Sequence, residues 1–256
     1  MQKDSQAIAK RLVKSSRERF TDGYISDFIA GLAYTKVTLE DGRSGLAYSF
    51  AGEYKRSCSA FHSNEGIVGK KAKSLIEGLY SRSQFERSLA LACINALANN
   101  EDVVSSQRDV LCELEIRRED KIAMIGFFAP LVRPLEKACA ELKIFDYDGD
   151  KSSKLSPLEQ MPEILFESDV VLLTSTALLN ETAVKVLKMI GKAREVVMLG
   201  ASTPLIPGVF EDYGVSLLSG VLIKNGAGVS RAVKEGRGMR AFKEFIEKVN
   251  LRIKRQ

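Results

Sequence analysis

Apolar and polar residues alternate in the first hundred positions in a way that predicts an α+β unit. Apolar residues at helical spacing predict a helix over 7–20. Two short apolar runs, 32–39 and 45–51, predict strands, and the residues between them, Glu40-Asp41-Gly42-Arg43, contain the Asp-Gly pair of a hairpin turn. Helical spacing returns over 72–79.

A longer apolar helix begins at Ser83. Ser83 and Glu86 have the spacing of a capping box, which marks the first turn of a helix. Asn95 interrupts the nearly all-apolar segment SLALACINALA that follows. Because a buried amide must find partners, Asn95 is either a core residue bonded to neighbouring backbone or a contact to a ligand.

The pattern changes after a polar connector at 99–120, so we place a domain boundary there and expect domains over 1–105 and 106–256. Short apolar runs then alternate with helical segments. Continuous apolarity indicates strands covered on both faces, so this half predicts a doubly wound parallel sheet of about five strands. The predicted strands are 121–127, 142–147, 169–175, 195–200 and 215–223.

The last segment of the chain carries apolar residues at helical spacing. Phe242, Phe245, Ile246, Val249 and Ile253 form one stripe, which predicts a closing helix over 239–253.

Composition and charge narrow the functional classes. The chain has 256 residues, 45% of them hydrophobic, which suits one or two globular domains. The net charge of +5 comes from interspersed basic residues, so nucleic-acid binding is not expected. No apolar stretch has the length of a membrane span and the N-terminus lacks a signal core, which predicts a cytoplasmic protein. A homo-oligomer is left open.

The thiols and the single histidine do not predict a metal site. Cys58, Cys93, Cys112 and Cys139 include no CxxC pair, which is typical of reduced thiols. Cys58 and His62 form one C-x3-H pair, whereas a closed site needs about four ligands. The acidic stretch 146–150 is not a calcium loop, because Pro157 stands where a bidentate glutamate is required.

Candidate chemistry lies at the strand ends, because ligands of doubly wound sheets bind outside the carboxyl ends of the strands. The first strand is followed by Gly126 alone rather than G-x-G-x-x-G, which argues against a dinucleotide cofactor. Phe127 and Phe128 are either core residues or a surface that stacks on a flat ring. Asp146, twenty positions after Gly126, stands where a ribose-binding acid occurs in related folds.

The third strand is followed by a cluster of polar residues. Asn180 suits the N-cap of the next helix, and capping explains one or two of these groups but not all. The rest predict a ligand site. The cluster comprises Thr174, Ser175, Thr176, Asn180 and Thr182.

Small and hydroxylated residues also follow the fourth strand and interrupt the fifth. Gly200 permits close backbone approach, Ser202 and Thr203 offer hydroxyls, and Gly220 breaks the fifth apolar run. Convergence of three strand ends predicts one shared small-molecule pocket between the two halves.

At these residues the chain resembles a family of unknown function named for heavy-metal chelation. The resemblance is carried by IGFFAPLVRPL, DVVLLTSTALLNETAVKVL, VVMLGASTPLIPGVFEDYGVSLLSGVLI and the helix LALACINALAN. It implies an enolase N-terminal-like domain, then a Rossmann-like domain, with a site in the cleft between them. Asp146 stands where glutamate is expected in this family. The positions implied for the site are Asn95, Gly126, Phe127, Asp146, Thr174, Asn180, Thr182, Gly200, Ser202, Thr203 and Gly220.

Three functional hypotheses follow. The first is a protein that binds a pterin-, flavin- or siderophore-like chelator and condenses or hydrolyses it, with Asp146 or Glu65 as general base. The second is a module that binds a metabolite or metal complex without turnover. The third, an S-adenosylmethionine-dependent methyltransferase, needs a glycine-rich first loop that this chain lacks. No cofactor is identified, and no catalytic residue is assigned.

Overall fold

The computed structural model describes residues 5–50, 66–103, 106–147 and 154–253. These residues form a mixed α/β fold with one small antiparallel sheet and one six-stranded, mostly parallel sheet. The small sheet has the order β1-β2-β3. Its strands are β1 (Ile25–Ala30), β2 (Tyr34–Leu39) and β3 (Ser44–Tyr48).

The hairpin predicted across Asp41-Gly42 is confirmed, since β2 and β3 pair antiparallel. β1 was not predicted from the sequence. Its buried residues, Ile25 and Ile29, are separated by three exposed or half-buried positions, so it lacks the strict alternation that marks a half-buried strand.

Three helices accompany the small sheet, the last of which packs directly on it. Ser83 accepts a hydrogen bond from the Glu86 amide at 3.4 Å, as the capping-box prediction requires. The side chains of the third helix are buried along nearly its whole length, because it fills the space between the small sheet and the rest of the molecule. The helices are α1 (Ala7–Arg19), α2 (Ala72–Leu75), continued by a 3-10 turn at Ile76–Tyr80, and α3 (Gln84–Ala98).

The large sheet has the order β5-β4-β6-β7-β8-β9. Its first five strands are parallel, as predicted, and β9 is antiparallel to β8. The strands are β4 (Lys121–Ile125), β5 (Glu141–Phe145), β6 (Val170–Thr174), β7 (Glu195–Leu199), β8 (Leu217–Ile223) and β9 (Ile246–Arg252).

Both faces of the large sheet are buried, which confirms the doubly wound prediction. Met124 belongs to the same core cluster as Leu135 of the helix after β4. Ile125, on the opposite face, belongs to another cluster with Leu165 of the helix after β5. The helices of this half are α4 (Val110–Glu113), α5 (Ala129–Ala138), α6 (Met161–Glu167), α7 (Ala183–Met189), α8 (Gly226–Lys234) and α9 (Met239–Phe242).

The closing helix predicted over 239–253 is wrong. The chain is helical only in α9 and a following 3-10 turn, Lys243–Phe245, and then forms β9. Short apolar runs are ambiguous between helix and strand. Here the segment forms a strand because β8 would otherwise have a free edge. The backbone N–H and C=O groups of that edge pair with the segment along seven residues.

The strand order reverses at the carboxyl ends of β4 and β6, and we refer to this place as the crevice. β5 pairs with one side of β4. The chain then crosses over β4, and β6 pairs with its other side. α5 and α6 therefore cover opposite faces. Numbered from β4, the parallel strands have the order 2-1-3-4-5, in which ligands bind between the first and third strands.

Candidate functional site

Gly126 brings the ends of β4 and β6 into close approach. Its φ angle is +91°, a backbone conformation that favours glycine. A Cβ atom at this position would lie 2.7 Å from the Cβ of Thr174, which is shorter than any real contact. Glycine is therefore required where the ends of β4 and β6 approach each other.

An aromatic loop forms one lip of the crevice. Asp146, just after β5, accepts a hydrogen bond from the Phe127 amide at 2.9 Å, which ties this loop to the neighbouring strand. Phe127 and Phe128 are half-buried and pack at the margin of the core. Each ring thus contacts the core and keeps part of its surface accessible.

Two threonine hydroxyls face each other at the other lip. The Oγ1 atoms of Thr174 and Thr176 are 2.9 Å apart. The Thr176 amide donates to Thr174 Oγ1 at 3.3 Å, so Thr174 caps the 3-10 turn Ser175–Leu178. Both threonines are half-buried, and a hydroxyl can donate one bond while accepting others, so each retains capacity for a ligand.

Asn180 and Thr182 close the turn before α7. The residue at the N-cap of α7 is Thr182, which corrects the prediction of Asn180. Asn180 Oδ1 instead accepts from Thr182 Oγ1 at 2.6 Å and from the Thr182 amide at 3.2 Å. Glu181, with a positive φ of 60°, accepts a hydrogen bond from Gln6 at 3.1 Å. This turn holds the start of α1.

Gly200 and Ser175 meet beneath the same edge. A Cβ atom on Gly200 would lie 2.8 Å from Ser175 Oγ. The Ser175 side chain is buried, and its hydroxyl has no hydrogen-bond partner within the described part of the chain. Ser175 is thus enclosed, unlike the two threonines on either side of it.

Ser202 joins the two sheets. Its Oγ accepts a hydrogen bond from the Tyr48 amide at 2.8 Å, and Ser88 Oγ donates to the Tyr48 carbonyl at the same distance. The backbone N–H and C=O groups of Tyr48 therefore both have hydrogen-bond partners at the contact between β3 and the loop after β7. Ser202 is 2% exposed, so it acts as a connection inside the protein.

Asn99, which sequence analysis did not single out, holds the same loop. Its Nδ2 donates to the Thr203 carbonyl at 3.0 Å, and its Oδ1 accepts from the Leu205 amide at 2.8 Å. Asn95, one turn earlier, donates to the Leu46 carbonyl at 2.7 Å. Gly220 lets the loop approach β8, because a Cβ there would lie 3.2 Å from the Thr203 carbonyl oxygen.

Exposure separates the residues that the sequence grouped into one pocket. Five are buried in contacts within the chain, whereas the others are half-buried. The half-buried residues keep part of their surface accessible to a ligand. The buried residues are Asn95, Ser175, Ser202, Thr203 and Gly220, and the half-buried residues are Gly126, Phe127, Asp146, Thr174, Thr176, Asn180, Thr182 and Gly200.

Removing the Ser202 hydroxyl is expected to weaken the contact between the sheets. Ser202→Ala leaves the Tyr48 amide without its acceptor, which costs about 1–3 kcal/mol in the free energy of unfolding. Urea denaturation measures this loss. Ser15→Ala on α1 is the matched control and should change the value by about 0.5 kcal/mol or less. Equal stability of both variants would contradict the connecting role.

Family models match both halves of the chain. A model described as "Putative heavy-metal chelation" matches residues 109–252, and a second with the same description matches residues 14–98. The chain belongs to this family. The resemblance stated from the sequence is therefore confirmed.

Relatives share the fold over nearly the full length. A crystal structure from Desulfitobacterium hafniense, of the same family and of unknown function, is 24% identical with a TM-score of 0.81 and 98% of each chain covered. A second, from Pyrococcus horikoshii, is 22% identical with a TM-score of 0.81, covering 99% of this chain and 100% of the other. An uncharacterised protein of Methanocaldococcus jannaschii is 25% identical over 224 residues, which is 84% of this chain and 85% of the relative.

The family description raises the question of direct metal binding. Among residues 5–50, 66–103, 106–147 and 154–253, no three His, Cys, Asp or Glu side chains come together in a way that could hold a metal ion. Cys58, His62 and Glu65 lie outside these ranges. The groups at the crevice are the hydroxyls of Thr174 and Thr176, the carboxylate of Asp146 that accepts the Phe127 amide, and two half-buried aromatic rings.

Two cavities lie in other parts of the described molecule. One of about 420 Å³ is at the amino-terminal edge of the large sheet, between the residues before β7 and those before β8. The other, of about 10 Å³, lies between α1 and the turn that contains Glu181. In the described ranges, no helix has both the length and the apolarity needed to cross a bilayer.

Proposed function

We propose that this protein binds a small organic ligand of the metal-chelator class in the crevice at the carboxyl ends of β4 and β6. The observation that carries the proposal is the combination of accessible hydrogen-bonding and aromatic groups at the point where the strand order reverses. Doubly wound sheets bind their ligands at such points. The family description supports the chelator class.

The chemistry of the lips indicates what part of a ligand each would contact. Thr174 and Thr176 can donate to or accept from hydroxyl, carbonyl or ring-nitrogen groups. Phe127 and Phe128 offer partly exposed rings against which a flat, pterin- or flavin-like system can stack. Asp146, fixed by the Phe127 amide, places a carboxylate beside that ring position.

Binding alone and binding with turnover differ in the use of Asp146. As a general base, its carboxylate would take a proton from a ligand hydroxyl or from water during condensation or hydrolysis. As a binding group, it would only accept a hydrogen bond. Asp146→Asn keeps an oxygen for the Phe127 amide and removes the base, so it separates the two cases.

The test is ligand binding by the wild type and by Thr174→Val, which keeps the side-chain shape and removes one hydroxyl. We expect a pterin, a flavin or a hydroxamate siderophore to raise the melting temperature saturably. Thr174→Val should bind that ligand about fivefold more weakly, since a lost hydrogen bond is worth about 1 kcal/mol. Thr21→Val, at an exposed position, is the control and should bind as the wild type does.

Mass spectrometry of the same mixtures detects turnover. Product formed by the wild type but not by Asp146→Asn would support catalysis, whereas saturable binding without product would support the binding module. Equal affinity of wild type and Thr174→Val, or no saturable response to any of the three ligand classes, would contradict the proposed site.

A further inference from the structure

Ser175, the first residue after β6, has a buried hydroxyl that the described residues do not use. The residue is 1% exposed, and its Oγ has no hydrogen-bond partner among them. Thr174 and Thr176, on either side, bond to each other at 2.9 Å. A buried hydroxyl without a partner has lost its hydrogen bonds to water and gained none in return, which destabilises the folded protein. Stability therefore does not explain why serine rather than alanine stands at this position.

The Ser175 hydroxyl is directed at the place where Gly200 lacks a side chain. A Cβ atom on Gly200 would lie 2.8 Å from Ser175 Oγ, which is the usual separation of two hydrogen-bonded oxygen atoms. Apart from Gly200 and its two neighbours in the chain, no other atom of the described residues lies within 4 Å of that position. Gly200 itself is half-buried. The glycine is thus the side from which an atom of a ligand can meet the hydroxyl.

Gly126, at the end of β4, does not leave such a place. Its missing Cβ would lie 2.7 Å from Thr174 Cβ and 3.5 Å from a ring carbon of Phe128. At Gly126 the side chain is absent because the protein itself fills the space. At Gly200 it is absent next to a hydroxyl that lacks a partner.

The turn after Gly200 adds two donors to the Ser175 hydroxyl. The Thr203 amide donates to the Gly200 carbonyl at 3.1 Å, which closes a turn over 200–203. Ala201 and Ser202, between them, are buried, and their amides have no acceptor in the ranges that the structure describes. Because amides can only donate, an oxygen atom is the group that would complete the hydrogen bonding at this turn.

We propose that Ser175 determines ligand specificity by donating a hydrogen bond to a carbonyl or carboxylate oxygen of the ligand at the open side of Gly200. The inference rests on the proposed function, because this place adjoins the crevice. Thr174 pairs with Leu199 in the ladder between β6 and β7, so Gly200 lies about 5 Å, one strand spacing, from the end of β6. A ligand held by Thr174 can therefore extend one substituent to Ser175.

Stability without any ligand gives the first test, with Ser168→Ala as the matched control for Ser175→Ala. Ser168, just before β6, is equally buried, but its Oγ donates to the Ile164 carbonyl at 2.6 Å. We expect Ser175→Ala to melt at or slightly above the temperature of the wild type and Ser168→Ala to melt lower, since only Ser168→Ala loses a bond within the protein. Differential scanning calorimetry measures both.

Ligand affinity gives the second test, by isothermal titration calorimetry. The probes are pterin, pterin-6-carboxylate and 2,4-diaminopteridine, in which an amino group replaces the ring carbonyl of pterin, together with riboflavin and the hydroxamate siderophore desferrioxamine B. We expect Ser175→Ala to bind the probe that the wild type prefers about fivefold more weakly, and Ser168→Ala to bind it as the wild type does.

The three pteridines identify the oxygen. A preference for pterin over 2,4-diaminopteridine that Ser175→Ala reduces assigns a ring carbonyl. A preference for pterin-6-carboxylate over pterin that Ser175→Ala reduces assigns a carboxylate.

Failure of this inference and failure of the proposed function give different results. If Thr174→Val weakens binding and Ser175→Ala does not, the crevice stands and the role of Ser175 is overturned. If Ser175→Ala lowers the melting temperature as much as Ser168→Ala, the hydroxyl has a partner in the unliganded protein, and the inference is overturned without reference to any ligand. If the wild type binds none of the probes saturably, both proposals are overturned together.

Discussion

Replacing Gly45 with alanine is expected to force β3 away from α3 and to destabilise the protein strongly. A Cβ atom on Gly45 of β3 would lie 2.2 Å from the Ala92 carbonyl oxygen and 2.3 Å from the Ala96 amide nitrogen. Both are backbone atoms of α3, so no side-chain rotation relieves the overlap. The strand and the helix would have to separate, which we expect to cost about 3 kcal/mol or more in the free energy of unfolding.

Urea denaturation monitored by circular dichroism measures this cost. Gly66→Ala is the matched control, because no atom of the residues that the structure describes lies within 4 Å of the added atom there. That variant should differ from the wild type by about 0.5 kcal/mol or less. Comparable stability of Gly45→Ala and Gly66→Ala would show that α3 and β3 are not packed backbone against backbone.

The arrangement of the large sheet could be predicted because its signals are local. Val-, Ile- and Leu-rich runs of strand length alternate with helical segments, and this pattern alone specifies parallel strands covered on both faces. β9 could not be predicted in this way. Its residues Ile246, Val249 and Leu251 are compatible with either a helix or a strand, and only the free edge of β8 selects the strand.

Tertiary contacts decide which of the polar residues at the strand ends are buried. Thr174 and Ser202 have the same chemistry and similar positions after parallel strands. Thr174 remains half-buried at the crevice, whereas Ser202 is covered by β3 and accepts the Tyr48 amide. No local feature of the sequence indicates that the small sheet docks on the loop after β7, so the sequence alone does not distinguish the burial of these two residues.

Lys36 illustrates the same limit. A lysine between Thr35 and Val37 in a short hairpin is expected to point to solvent, since strands of a small sheet usually keep one polar face. In this protein Thr35, Lys36 and Val37 are all buried, because α3 packs against one face of the hairpin and α8 contacts β2 from the second half. Its environment follows from the docking of the two halves.

The carboxyl ends and the amino ends of the parallel strands differ in the residues that they carry. The carboxyl edge carries the half-buried groups proposed to bind ligands. The amino edge carries paired charges and backbone bonds that fix the starts of the strands. Asp169, before β6, accepts from the Lys121 amide at 2.9 Å, and its carbonyl accepts from the Arg194 amide at 2.9 Å. Stability and ligand binding should therefore respond to different substitutions.

Asp120 is the central charge of the amino edge. Its side chain is 2% exposed and bonds through Oδ1 to Arg194 Nη1 and through Oδ2 to Arg194 Nη2, both at 2.6 Å. Oδ2 also accepts from the Arg117 amide at 2.7 Å. The pair connects the residue before β4 to the residue before β7, across β6.

Asp120→Ala is expected to cost about 3 kcal/mol in the free energy of unfolding, because it leaves the Arg117 amide without its acceptor and removes the carboxylate from the partly buried Arg194 guanidinium, which keeps its bond to the Glu115 carbonyl. Glu77→Ala, which breaks an exposed ion pair with Arg17, is the control and should cost about 0.5 kcal/mol or less. Chemical denaturation at pH 7 measures both. A loss for Asp120→Ala no larger than for Glu77→Ala would contradict the structural role of the pair.

The same carboxylate makes stability depend on pH. Burial alone would raise the pKa of Asp120, but hydrogen bonds from Arg194 and from the Arg117 amide outweigh it, so this pKa is lowered in the folded protein. A lowered pKa stabilises the fold above the unfolded value of about 3.9, and that contribution is lost as the pH falls through the folded value. The stability gap between wild type and Asp120→Asn should thus narrow from pH 5 to about pH 2. A gap that stays constant over this range would show that the ionised form of Asp120 does not carry the contribution.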